Sequence, residues 1–77
     1  MLRKSKLIIP FAPVEELMKE NTNLKVSKDA VEALTEELIY FGKKVSEKAW
    51  ELAKHSGRKT IKDSDIKLAY EHLYKLR

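Results

Sequence analysis

Apolar residues recur at Val31, Leu34, Leu38, Phe41, Val45, Ala49 and Leu52. Steps of three and four place them on one face of a helix. No proline and a single glycine, Gly42, fall between Lys28 and Ser56, so the spacing predicts one long helix over that span. Ile39, Trp50 and Ala53 widen its apolar stripe to about half the circumference. Lysines and glutamates fill the other side, with supporting pairs at Lys43–Glu47 and Lys48–Glu51. Ser27 is a good N-cap, and Asp29 suits the first turn. Gly57 can take the left-handed conformation that ends a helix.

Two shorter helices flank this one. Val14, Leu17 and Met18 share a face over about Pro13–Asn21, with Pro13 at the first position and Glu15 and Glu16 in the first turn. Ile66, Ala69, Tyr70 and Leu73 mark a last helix from Asp63 to near Lys75, opened by Asp63 and Asp65. Residues 1–9 have no periodicity and read as a basic N-terminal arm; residues 10–77 read as one domain. The class is all-α, ordered short helix, long helix, short helix.

A helix of about 28 residues spans roughly 42 Å. A compact chain of this size has a radius of gyration of only ~11–12 Å. The long helix therefore outruns any core its own chain can build. Its middle, around Leu38, Phe41 and Val45, needs cover, and a second copy crossing antiparallel supplies it; Trp50 and Ile39 on the flank pack against a short helix or the partner. A monomeric three-helix bundle is disfavoured by the two unequal arms, and a plain coiled coil by a stripe wider than an a/d seam. Small size points the same way. With 77 residues and no cysteine, neither a disulfide nor a thiolate metal site can staple the chain, and oligomerisation is the remaining way to enlarge the core.

The net charge of +4 matters less than its placement. Arg3, Lys4 and Lys6 in the arm, Lys25 in the first connector, and Arg58, Lys59 and Lys62 in the second carry the positive excess; the remaining segments are net negative. A field focused on loops fits a polyanion partner. Arg58, Lys59 and the Thr60 hydroxyl form a compact set of donors for phosphate oxygens. In a crossed dimer, Lys25-Val26-Ser27 of one chain can lie beside Lys59-Thr60-Ile61 of the other. Their β-branched residues suit a short strand pairing, which would gather Lys25, Arg58, Lys59 and Thr60 into one basic patch at each end of the dimer.

Other chemistry is poorly supported. No apolar run approaches a membrane span, and Pro10 and Pro13 break the apolar stretch a signal peptide would need. A cytoplasmic location is expected. His55 reads as a buried or interfacial hydrogen-bonding residue near Asp65 and not as a catalytic or metal-binding one. Trp50, Phe41 and the Met18 region read as core, whereas Tyr40 falls on the polar face. No nucleophile elbow, phosphate loop or metal-ligand spacing is present. Neither enzymatic activity, a cofactor nor a small-molecule substrate is expected.

The block Ser56-Gly57-Arg58-Lys59-Thr60-Ile61-Lys62 with Asp65-Ile66 closely resembles the second loop and third helix of archaeal histones. Pro10-Phe11-Ala12-Pro13 resembles their proline-bracketed start, Val26-Ser27 their first loop, and Leu52-Ala53-Lys54-His55 the end of their central helix. The resemblance runs over about residues 8–74 without gaps. It implies the histone fold, a handshake dimer, and binding to double-stranded DNA without strong sequence preference. Carried over by position, Lys25, Arg58, Lys59 and Thr60 match DNA-backbone contacts, and Lys19 a basic position near DNA. Arg58 and Asp65 match an ion pair that braces the loop. Leu52, His55 and Asp65 match positions that join two dimers into a tetramer, and pairing with another histone as a heterodimer is also implied. Glu16 stands where many members carry an arginine that enters the minor groove, Thr22 stands near a usual glycine, and the arm with Arg3, Lys4 and Lys6 is unusual. The expected function is a chromosome-associated architectural protein that compacts DNA. The alternative is a histone-fold interaction module, such as a subunit of a transcription regulator, acting mainly on a protein.

Overall fold

The computed structural model describes residues 8–20 and 23–75. Its elements are α1 (Phe11–Lys19), α2 (Lys28–His55), α3 (Asp63–Tyr70) and a π-helical turn, Glu71–Lys75, that continues α3. Every regular element among the described residues is helical.

α1 begins two residues earlier than the pattern predicts. Pro10 is extended (φ −67°, ψ 157°) and takes the cap position. Pro13 becomes the third helical residue. The first four N–H groups of a helix have no intrahelical partner, so its missing N–H costs nothing there either. In consequence Glu15 and Glu16 lie past the first turn, which holds no acidic residue. Glu15 instead pairs with Lys19 one turn on, at 3.0 Å. The expected end of this helix at Asn21 lies outside the described residues.

α2 starts where the sequence places it. The Ala30 N–H donates to Ser27 Oγ at 3.0 Å, which satisfies one of the orphan donors of the first turn. The helix then runs unbroken for 28 residues. The chain divides into two compact units, one up to Tyr40 and one from Phe41 onwards.

In the first unit Val14, Val31, Thr35 and Ile39 are buried. Thr35 is fully buried, and its Oγ1 donates to the Val31 carbonyl at 2.8 Å. The hydroxyl is satisfied inside its own helix, so a polar residue can occupy the centre of the apolar face. In the second unit Val45, Ala49 and Ala69 form the core, with Leu52 and Leu73 packed against it. Ala49 and Ala69, like Ala53, have no exposed surface, and side chains this small let backbones approach closely. Phe41, Tyr70 and Tyr74 stack into a cluster with ring centroids 5.2–6.3 Å apart, a favourable aromatic geometry.

Two expected core residues are not buried. Phe41 is 40% exposed and Trp50 is 42% exposed, and nine residues at about 100° each put them on opposite sides of α2. The Met18 side chain is half-buried and Tyr40 is exposed. Lys54 Nζ sits 5.1 Å from the centre of the Trp50 ring.

Candidate nucleic-acid interface

The loop between α2 and α3 is built from its glycine outward. Gly57 has φ +75°, a conformation glycine adopts without the clash a Cβ would bring. The turn it makes sends the Gly57 N–H to the Lys54 carbonyl (2.9 Å) and the Arg58 N–H to the Ala53 carbonyl (3.0 Å). This pair of bonds is a Schellman motif. It closes the end of α2 and fixes the backbone of Arg58.

From that fixed backbone the Arg58 guanidinium reaches Asp65 in two parallel bonds, Nη1 to Oδ2 at 2.8 Å and Nη2 to Oδ1 at 2.9 Å. Nη1 also donates to the Thr60 carbonyl at 2.9 Å. Asp65 in turn accepts the Lys62 N–H at 2.8 Å, while the Lys62 carbonyl accepts from the backbone N–H groups of Asp65 and Ile66. Lys62 caps α3 with its backbone alone (φ −108°, ψ 168°). Residues 58–62 are thus tied to α2 at one end and to α3 at the other.

The electrostatics follow from those bonds. The Arg58 guanidinium, then the Lys62 N–H, hold the Asp65 carboxyl at about 2, below its ordinary 3.8, against the opposing effect of burial. The Asp65 carboxylate raises the Arg58 pKa. Much of the guanidinium is therefore engaged internally: its charge is balanced by a neighbour, and three of its N–H donors serve Asp65 and the Thr60 carbonyl. Of the three cations in the loop, Lys59 and Lys62 stand exposed. The Thr60 side chain is exposed beside them, while its carbonyl serves Arg58.

Lys25 is exposed in the connector before α2, within the first unit, and Lys59 belongs to the second. Lys19 is exposed and paired with Glu15. Arg3, Lys4, Lys6 and Thr22 lie outside the described residues. Leu38 is half-buried, Val45 buried, and Phe41 and Trp50 exposed. Leu52 is half-buried and Asp65 buried. His55 is exposed and makes no hydrogen bond with Asp65, whose oxygens go to Arg58 and Lys62.

Sequence reasoning counted Lys62 only as a charge. Its backbone N–H is also part of the clamp, and the signal was present: Asp65 follows it by three residues, the spacing at which an acidic side chain reaches back to the cap N–H.

Comparison with known proteins agrees with this architecture. Residues 7–70 match the family described as histone-like transcription factor (CBF/NF-Y) and archaeal histone. The chain is 43% identical over 61 residues to an archaeal histone of Thermococcus zilligii, covering 79% of this chain and 91% of that one. It is 40% identical over 60 residues to DNA-binding protein HmvA of Methanocaldococcus jannaschii, covering 78% and 62%. It is 39% identical over 66 residues to a histone doublet of Melbournevirus, covering 86% of this chain and 39% of that longer one. A short helix, a 28-residue helix and a short helix, joined by a loop that an arginine and an aspartate hold shut, are features this chain carries as a member of the histone-like transcription factor and archaeal histone family.

Proposed function

We propose that this chain is an architectural protein of the chromosome: two copies interlock, and the dimer binds double-stranded DNA through sugar–phosphate contacts with little sequence preference. It acts structurally and not as an enzyme. The observation that carries this reading is the clamped loop, which holds Lys59, Thr60 and Lys62 exposed on a backbone fixed at both ends. Contacts of this kind set register and affinity and carry no base information. In the dimer, Lys25 of one chain joins Lys59 and Thr60 of the other, and Lys19 and the arm residues Arg3, Lys4 and Lys6 add charge beside the duplex. Arg58 shapes the loop more than it touches phosphate, because Asp65 already holds its guanidinium. Leu52, His55 and Asp65 are assigned to contacts between dimers.

The test separates binding charge from bracing charge. Each phosphate neutralised contributes about −0.9 to the slope of log K against log salt. Lys59→Glu combined with Lys62→Glu lowers affinity for any duplex and flattens that slope, while circular dichroism and dimer mass stay those of the parent. Unchanged gel shifts with the double variant remove the loop from the mechanism. Salt-independent or undetectable DNA binding by the parent protein favours a protein-interaction module instead.

A further inference from the structure

The first unit carries a charge pattern that the DNA-binding reading does not use. Between Ile8 and Tyr40 the chain has seven acidic residues against three lysines, although its net charge is +4. Three of those acids line an open groove of about 420 Å³. Phe11, Val26 and Val31 give the groove an apolar lining, and Glu15, Asp29 and Glu32 an acidic one. All of them belong to the first unit. Phe11 stays 37% exposed, so the apolar part of the groove is open to water. Lys28 is the single cation among the lining residues. Glu15 also pairs with Lys19, an exposed pair of the kind that holds its partners weakly. Neither Asp29 nor Glu32 has a cationic partner among the described residues.

We propose that this groove is the docking site of the chain's own basic arm, residues 1–7. The arm has the complementary chemistry: Arg3, Lys4 and Lys6 lie between Leu2 and Leu7 with no acid among them. Its leucines suit the apolar lining and its cations suit the three carboxylates. Long basic side chains also cover apolar surface with their stems while their charged heads stay in water. The arm is attached close to the groove. Lys6 precedes Phe11 by five residues and Arg3 by eight, which at ~3.3–3.6 Å per residue keeps both within about 29 Å of it. A short tether of this kind gives a local concentration in the ~mM range, so a contact too weak to hold a free peptide still holds the arm. A separate basic peptide has the same chemistry without that advantage. Docking bears on function, because three cations laid over Glu15, Asp29 and Glu32 offset the acidic excess of the first unit, which otherwise repels a polyanion. The contact forms within one chain and requires neither DNA nor a second copy, so its test is separate from that of the reading above.

The chain has no cysteine, so Ser5→Cys places a single nitroxide label in the arm. NMR on the full chain, at low salt and without DNA, reads how far the label broadens the backbone amide signals of Asp29 and Val31. We expect both signals to be broadened in the labelled parent. The broadening should be lost when Arg3→Glu, Lys4→Glu and Lys6→Glu are combined, and should return when Glu15→Lys and Glu32→Lys are added to that reversed arm. It should also be lost at about 1 M salt, where the screening length falls to about 3 Å. Circular dichroism reports the folding of each variant, and where the groove variant is unfolded the reversed arm and the salt series still decide. Broadening that survives the reversed arm or the high salt overturns the proposal. So does its absence from the parent, the result expected if the Lys59-Thr60-Ile61 loop of a second copy fills the groove instead. Broadening seen only when label and isotope sit on different chains gives the groove to the arm of a second copy and overturns docking within one chain.

Discussion

Asp65 is the residue on which the loop turns, since its two oxygens accept two bonds from Arg58 and one from the Lys62 backbone. These bonds favour its charged form and bring its pKa to about 2 from an ordinary 3.8. A carboxylate with a depressed folded pKa contributes stability that is complete above its unfolded pKa. That contribution fades as the pH falls from about 3.8 and is gone once it passes below about 2. An NMR titration of the Asp65 carboxyl should therefore show a midpoint near 2. Between about pH 4 and about pH 2 the parent should lose more melting temperature than Asp65→Asn, which starts lower and lacks the ionisation. A midpoint at the ordinary value would mean that the bracket to Arg58 does not form in solution. The positions of Asp65 and Arg58 were legible through their resemblance to a family ion pair. Their consequence, a guanidinium whose charge is balanced within the loop, was not, because a count of charges does not show which of them are already balanced.

At the scale of elements, the caps of α2 were readable, and so was most of its buried face: Val31, Ile39, Val45, Ala49 and Ala53 are buried, while Thr35, Phe41 and Trp50 depart from the pattern. Ser27 and Gly57 act through local backbone geometry that a short sequence window specifies. Gly57→Ala tests the second of these. It forces a Cβ into the left-handed region at a cost of about 1 kcal/mol, which in a chain of this size lowers the melting temperature by about 4–8 °C. It also loosens the attachment of Arg58, so DNA affinity should fall with the loop charges intact; an unchanged melting temperature would show that the Schellman turn is not holding the loop. The fully buried Thr35 escaped a reading based on apolar periodicity, because its hydroxyl is satisfied by Val31 one turn back. Phe41 and Trp50 were read as core from the same periodicity. Periodicity reports which face is apolar and does not report whether that face is covered by its own chain. The early start of α1 was hidden by Pro13, which is tolerated throughout the first turn.

At the scale of the molecule, the short–long–short helical order was legible because a 28-residue helix without proline leaves few alternatives. The pairing of two chains was argued from length and from uncovered apolar surface, and the structure sharpens that argument. Phe41, Val45, Ile66 and Tyr70 line an open groove of about 420 Å³, with Lys67 and Lys75 also lining it. An association that buries such a surface makes stability depend on protomer concentration. The melting temperature should therefore rise with protein concentration over the micromolar range, as followed by circular dichroism. A value independent of dilution would indicate a chain that is stable alone.

The aromatic trio of Phe41, Tyr70 and Tyr74, left between one-third and one-half open to water, has a consequence for the cell. If two copies interlock as proposed, a newly made copy stays unfinished until it meets a mate, and unmated copies are the ones that proteases reach first. Synthesis rate then sets how much finished protein exists, and scarcity trims the pool more steeply than in proportion.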